Sequence, residues 1–405
     1  MKIHIHRGQN QLGGSIIEVS SNFTRLFFDV GVNLDENESA VAPEIEGVFT
    51  GDRNCDAIFI SHYHADHIGL ATNILMDIPI YMGEKAFKIY QASANYRDKK
   101  IGFSPNFIYD CQTVKIGDIS ITPYLCDHSA FDSYMFTIKH EDTAILYTGD
   151  FRANGRLDFD KLLSNLPETE VVIVEGTTLL RDDAQSNIEE QKLEQIAIDY
   201  LENYNGPVFI MMSAMNIERL ITAYNIAKRT NRIFLEDIYT ADIAMSAGKD
   251  APEPNIDDGV RVFMTGGDKQ YERLLEYGKS KIGKHEIAKK PFVMCIRQSM
   301  KNYLIKLNEL VSFEDGVLFY SMWNGYMEQP EMKLFLEFMI GKGLKLHKLH
   351  TSGHADSSTI DKLIKYVNPK YIIPVHTENA KWFERYCEDR IIIQKSIFEV
   401  GGNNG

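Results

Sequence analysis

Ser61-His62-Tyr63-His64-Ala65-Asp66-His67-Ile68-Gly69 places four side chains able to bind a metal within six positions. The stretch follows Ala57-Ile58-Phe59-Ile60, an apolar run that reads as a buried strand. His62 and His64 are two apart and leave an extended chain on the same side. Asp66 and His67 fall where the chain turns into an apolar, helix-like segment, Ile68 to Met76. A polar loop with stray histidines would explain one His. It does not explain three His and an Asp at a buried strand end, because burying so many polar groups costs several kcal/mol unless something binds them.

The 405 residues suffice for two domains or one elaborated domain. No apolar run approaches the length of a membrane span, and Met1-Lys2-Ile3-His4-Ile5-His6-Arg7 has no signal-peptide core. A soluble, cytoplasmic protein with no membrane partner is therefore expected. Cys55, Cys111, Cys126, Cys295 and Cys387 are scattered without Cys-x-x-Cys spacing and read as reduced thiols. A net charge of −14 argues against indiscriminate coating of nucleic acid, yet leaves room for a local basic channel. His4 and His6 have ligand spacing, but their alternation with Ile3 and Ile5 reads more simply as the polar face of a strand.

Further strand ends carry ligand types. Ile119 to Leu125 runs into Cys126-Asp127-His128-Ser129, and Thr143 to Tyr147 into Thr148-Gly149-Asp150-Phe151-Arg152. Val171 to Val174 ends in Glu175-Gly176-Thr177, and Asp29 closes Leu26-Phe27-Phe28. A long segment follows in which strands (Val208 to Met212, Arg232 to Leu235, Phe292 to Ile296, Val317 to Tyr320) alternate with helices (Asn216 to Arg229, Glu331 to Ile340). That rhythm predicts a parallel sheet covered on both faces. Then come His350-Thr351-Ser352-Gly353-His354-Ala355, a helix from Ser358 to Val367, and the strand Tyr371 to Val375 leading to His376.

In this order the motifs resemble those of the β-CASP branch of the metallo-β-lactamases, a branch of nucleases, and are closest to the ribonuclease J group. The resemblance implies an α/β fold, a metallo-β-lactamase αββα sandwich with an inserted α/β β-CASP domain. Residues 1–178 and 346–400 would form the sandwich, 179–345 the insertion, and 401–405 a disordered tail. It implies two divalent metal ions, zinc first and manganese as the alternative, one held by His62, His64 and His128, the other by Asp66, His67 and His376. Asp150 would bridge them, and Asp29 would support the ligand loop by hydrogen bonds. Such a pair can activate a hydroxide and clamp both oxygens of a phosphoryl displacement.

Asp66, Glu175 and His354 are then the expected catalytic residues, His354 serving the leaving oxygen and Glu175 orienting it. The implied substrate is single-stranded RNA, because motif C is a His in members acting on RNA and here is His376. Ser352, Gly353 and His350 would bind phosphate, and a helix N-terminus with Ser213, Asn216 and Arg219 offers a second phosphate site. The implied activity is a ribonuclease that trims 5′→3′ as an exonuclease, with a homodimer as the implied assembly. Hydrolysis of a small ester or phosphodiester, or of single-stranded DNA, is the competing reading, and Thr377 departs from the family's usual Gly after motif C.

Overall fold

The computed structural model describes residues 1–34, 41–180, 187–266 and 268–401; of the tail expected at 401–405, residues 402–405 lie outside them. Among the described residues, two seven-stranded sheets and one six-stranded sheet carry the fold. In the first sheet, Ile397–Glu399, Lys2–Arg7, Ile16–Ser20, Arg25–Phe28, Ala57–Phe59, Ile80–Gly83 and Asn106–Ile108 lie side by side. In the second the order is Ile391–Ile392, Tyr371–Pro374, Val171–Val174, Thr143–Tyr147, Ser133–His140, Ile119–Cys126 and Val114–Ile116. Alternate residues of the two sheets meet in one core, where Ile5, Val19, Phe28 and Phe59 pack with Ile121, Phe136, Ile145 and Ile173. Helix Glu84–Tyr96 covers the outer face of the first sheet through Ala86 and Ile89, and helix Ser357–Val367 covers the second through Ile360, Leu363 and Ile364. The result is the expected αββα sandwich.

The third sheet runs Val260–Phe263, Ile233–Asp237, Phe292–Ile296, Val208–Met211, Val317–Tyr320, Lys345–Lys348, parallel throughout. Its inner strands Phe292–Ile296, Val208–Met211 and Val317–Tyr320 are unbroken, buried apolar runs because helices cover both faces. Lys345–Lys348 pairs with Val317–Tyr320, so the insertion extends a few residues past the boundary expected at 345. A second correction concerns Ile68 to Met76, where the helix spans only Ala65–Ile68. It stops at Gly69, where a Cβ would lie 2.4 Å from the Ala65 carbonyl oxygen; beyond it Ala71 and Asn73 make only single turns, while Leu70 N bonds to Val30 O and Leu75 N to Val48 O. Among the described residues no helix is long and apolar enough to cross a membrane.

Glu236, on a central strand of the third sheet, is fully buried, and neither carboxyl oxygen has a hydrogen-bond partner among the described residues. Burial and the neighbouring Asp237 push its pKa well above the ordinary 4.5. The unfolded chain loses this proton near the ordinary value while the folded chain keeps it, so rising pH favours the unfolded state. Relative to Glu236→Gln, the native protein should lose about 1.4 kcal/mol of stability per pH unit between the unfolded carboxyl's pKa and its raised folded one. Urea denaturation of both proteins at several pH values checks this, and a stability difference independent of pH would contradict it.

Candidate metal centre

Strand Ala57–Phe59 delivers the motif to the edge of the sandwich, and Asp29 fixes its path. Asp29 adopts φ +60° in the turn after Phe28 and is fully buried. Its carboxylate accepts from Ser61 N at 2.7 Å, Ser61 Oγ at 2.8 Å, Tyr147 Oη at 2.6 Å and His67 Nδ1 at 2.7 Å. With Nδ1 engaged, His67 presents Nε2 inward, as a carboxylate behind a ligating imidazole requires.

Around that point the structure gathers residues from distant parts of the chain. Ligand atoms of His62, His64 and His128 lie within 4.8 Å of one another, and so do those of Asp66, His67, Asp150 and His376. Asp150 Oδ2 is the common centre, 3.2 Å from His67 Nε2, 3.9 Å from His62 Nε2, 4.0 Å from His128 Nε2, 3.7 Å from His376 Nε2 and 3.5 Å from His354 Nδ1. Gly149 makes this approach sterically feasible, for at φ +51° its Cβ would sit 2.8 Å from that of Ser61.

His376 also has positive φ, at +50°. Its amide donates to Gly8 O at 2.6 Å, its Nδ1 lies 2.8 Å from Thr177 Oγ1 and its Nε2 is 3.0 Å from Asp66 Oδ2. His128 Nδ1 lies 2.5 Å from Gly353 O.

The donor set fits metal ions. His62 Nε2, His67 Nε2 and both Asp150 oxygens are buried without a hydrogen-bond partner among the described residues, which is costly unless another group binds them. Burial and the neighbouring imidazoles hold His62 and His128 well below their usual pKa, and burial brings His64 down to about 4. These rings are neutral, the form that ligates. Burial opposes ionisation of Asp150, but His376 and His67 hold its carboxyl well below the usual range. Imidazole and carboxylate together suit zinc or manganese.

Beside the centre, Glu175 is fully buried and accepts from Phe151 N at 2.8 Å, Thr177 Oγ1 at 2.6 Å and His354 Nδ1 at 3.0 Å. Glu175 thus engages the Nδ1 side of the His354 ring. The loop that carries His354 is anchored from behind, since Ser352 O accepts from Arg152 Nη1 at 3.2 Å and Asn154 Nδ2 at 3.1 Å. Ser352 Oγ accepts from His354 N at 3.1 Å, so its own O–H stays available. Gly353 is sterically required, because a Cβ would meet Ser129 Oγ at 2.4 Å. His350 is partly buried at the start of this loop.

The second phosphate site does not survive. Arg219 is 1% exposed and turned inward, its Nη2 3.0 Å from Glu190 Oε1, its Nε 3.0 Å from Glu190 Oε2 and its Nη1 3.1 Å from Ser321 O. Asn216 Oδ1 caps the helix Ile217–Arg229 by accepting from Arg219 N at 3.0 Å, and Ser213 Oγ accepts from Met215 N at 3.3 Å. A buried ion pair explains Arg219 better than an anion site. The contact of Thr177 with His376 and the roles of Asn154 and Glu190 leave no signal in the sequence, because these partners lie far away along the chain.

A model of the metallo-beta-lactamase superfamily matches residues 36–195, and one of a Zn-dependent metallo-hydrolase RNA specificity domain matches residues 342–394. Ribonuclease J 2 of Streptococcus pyogenes is 23% identical over 399 residues, covering 92% of this chain and 68% of that protein. Ribonuclease J of Sinorhizobium meliloti is 20% identical over 375 residues (88% and 64%), and that of Mycoplasma genitalium 23% identical over 416 residues (93% and 68%). The chain thus spans about two thirds of the length of these relatives. A crystal structure of a protein of unknown function from Enterococcus faecalis superposes with a TM-score of 0.79 at 20% identity, covering 98% of this chain and 99% of that one, and shares the fold. Ligand motifs in order, a sandwich interrupted by a parallel α/β sheet, and matches at both ends of the sandwich make the chain a metal-dependent hydrolase of the metallo-β-lactamase fold that is similar to the ribonuclease J members of the β-CASP branch.

Proposed function

We propose that the chain hydrolyses phosphodiester bonds of single-stranded RNA at a centre for two divalent cations, removing nucleotides in the 5′→3′ direction. The observation that carries the reading is Asp150 Oδ2, within 4.0 Å of five imidazole nitrogens, with the Glu175 and His354 pair beside it. His62, His64 and His128 would hold one cation, Asp66, His67 and His376 the other, and Asp150 both. Bound there, the cations would supply Lewis-acid polarisation of a phosphoryl oxygen and would lower the pKa of a bound water to about 7.

The remaining work falls to side chains. Asp29 and Thr177 orient His67 and His376 through their Nδ1 atoms. Glu175 holds His354 by Nδ1, leaving Nε2 to deliver a proton to the departing 3′ oxygen. The Ser352 hydroxyl, with Gly353 and His350, lies on the same loop and would steady a substrate phosphate. The match of residues 342–394 to an RNA specificity domain supports RNA over DNA.

Metal-loaded protein should degrade 5′-monophosphorylated RNA faster than 5′-triphosphorylated RNA or single-stranded DNA. His354→Gln should lower kcat by about a hundredfold with metal content unchanged. Gel analysis of end-labelled substrates, with a simple phosphodiester in parallel, checks both. Turnover of the simple ester alone, or a His354→Gln variant as fast as the parent, would refute the reading.

A further inference from the structure

His4 and His6 leave strand Lys2–Arg7 on the face opposite Ile3 and Ile5, which fill the core between the sheets. Glu18 stands directly across from His4 in the antiparallel register with Ile16–Ser20. One ligand atom from each of the three lies within 4.8 Å of the other two. His6 Nε2 is 2.9 Å from Glu18 Oε2, and the two imidazole rings touch with centroids 3.8 Å apart. We infer that His4, His6 and Glu18 form a separate site for one borderline divalent cation of the zinc, cobalt or nickel kind, away from the Asp150 cluster.

Two nitrogens and one carboxylate oxygen match the preference of such ions, and their strand positions fix them without help from a mobile loop.

Arg25 is the competitor. Its Nη2 lies 2.9 Å from Glu18 Oε2, and Glu46 O and Asn54 O hold its Nη1 at 2.8 and 3.0 Å. A fixed guanidinium beside the carboxylate weakens a cation site without occupying the two imidazoles. The clamped strand also pairs with Ile397–Glu399, and Gly8 just beyond it accepts the His376 amide. Occupancy would stiffen the backbone behind His376. The inference stands whether or not the Asp150 cluster cleaves RNA.

Equilibrium dialysis of the chelator-stripped full chain against Co²⁺, with bound metal counted by mass spectrometry, tests it. His4→Gln, His6→Ala and Glu18→Gln should each bind one equivalent fewer than the parent, with RNA hydrolysis and circular dichroism unchanged. Arg25→Gln should bind that equivalent about tenfold more tightly. Equal metal numbers in the parent and the well-folded His4→Gln and Glu18→Gln variants would overturn the site, and so would loss of the equivalent in His6→Ala alone.

Discussion

Asp150→Asn should lower RNA hydrolysis about a thousandfold and release metal from the centre. Lewis-acid stabilisation is worth several kcal/mol, and each 1.36 kcal/mol is a tenfold change in rate, which gives roughly that factor. The effect should exceed that of any single histidine, because one oxygen of Asp150 lies within 4.0 Å of nitrogens from five rings, His62, His67, His128, His354 and His376. An amide keeps the shape and removes the charge, leaving two cations in one site to repel one another. Bound metal measured by mass spectrometry, kcat/KM on 5′-monophosphorylated RNA and circular dichroism check the three parts of the expectation. Full metal content with a rate within tenfold of the parent would mean that Asp150 is not the shared ligand.

Much of this centre is legible in the sequence because its ligands sit where buried strands end. Ala57-Ile58-Phe59 before His62, and Ile145-Leu146-Tyr147 before Asp150, are local patterns that fix both the strand and the exit of the polar residue. The parallel sheet is legible for the same reason, since strands buried on both faces become unbroken apolar runs. Pairings across long separations leave no such trace. Thr177 reaches His376 across 199 positions. Arg219 looks like a phosphate ligand at a helix start, yet its partner Glu190 stands 29 positions earlier and Ser321 102 positions later. Ile68 to Met76 failed for a different reason. Its apolar spacing suits a helix, but Leu70 and Leu75 bond to Val30 and Val48, which lie outside the segment. Tertiary partners overrode local propensity there.

The buried pairings of Arg152 and Arg219 converge on Glu190, and Glu190→Ala should destabilise the fold by about 3–5 kcal/mol. Its carboxylate is fully buried and accepts from Arg152 Nη1 at 3.1 Å, Arg219 Nη2 and Nε at 3.0 Å and Thr222 Oγ1 at 3.3 Å. Burial opposes ionisation, but the Arg219 guanidinium brings its pKa from 4.5 down to about 2. A carboxyl depressed on folding contributes stability that is present above its unfolded pKa and lost as pH falls through its folded one. The gap between parent and variant should therefore be widest at neutral pH and shrink between about pH 4.5 and pH 2.

Removing the anion strands Arg152 and Arg219, 1% exposed each, with less compensation than burial demands. Arg152 still has Asp127, while Arg219 is left with the carbonyl and hydroxyl of Ser321 and the Leu349 carbonyl. Arg152 also holds Ser352 O, so the His354 loop should loosen while the Asp150 cluster keeps its metal. Urea denaturation at neutral and acid pH, read beside metal content, separates these outcomes. Matching midpoints for parent and Glu190→Ala at neutral pH would show that the line from Asp127 through Arg152 and Glu190 to Arg219 contributes nothing to holding the insertion against the sandwich.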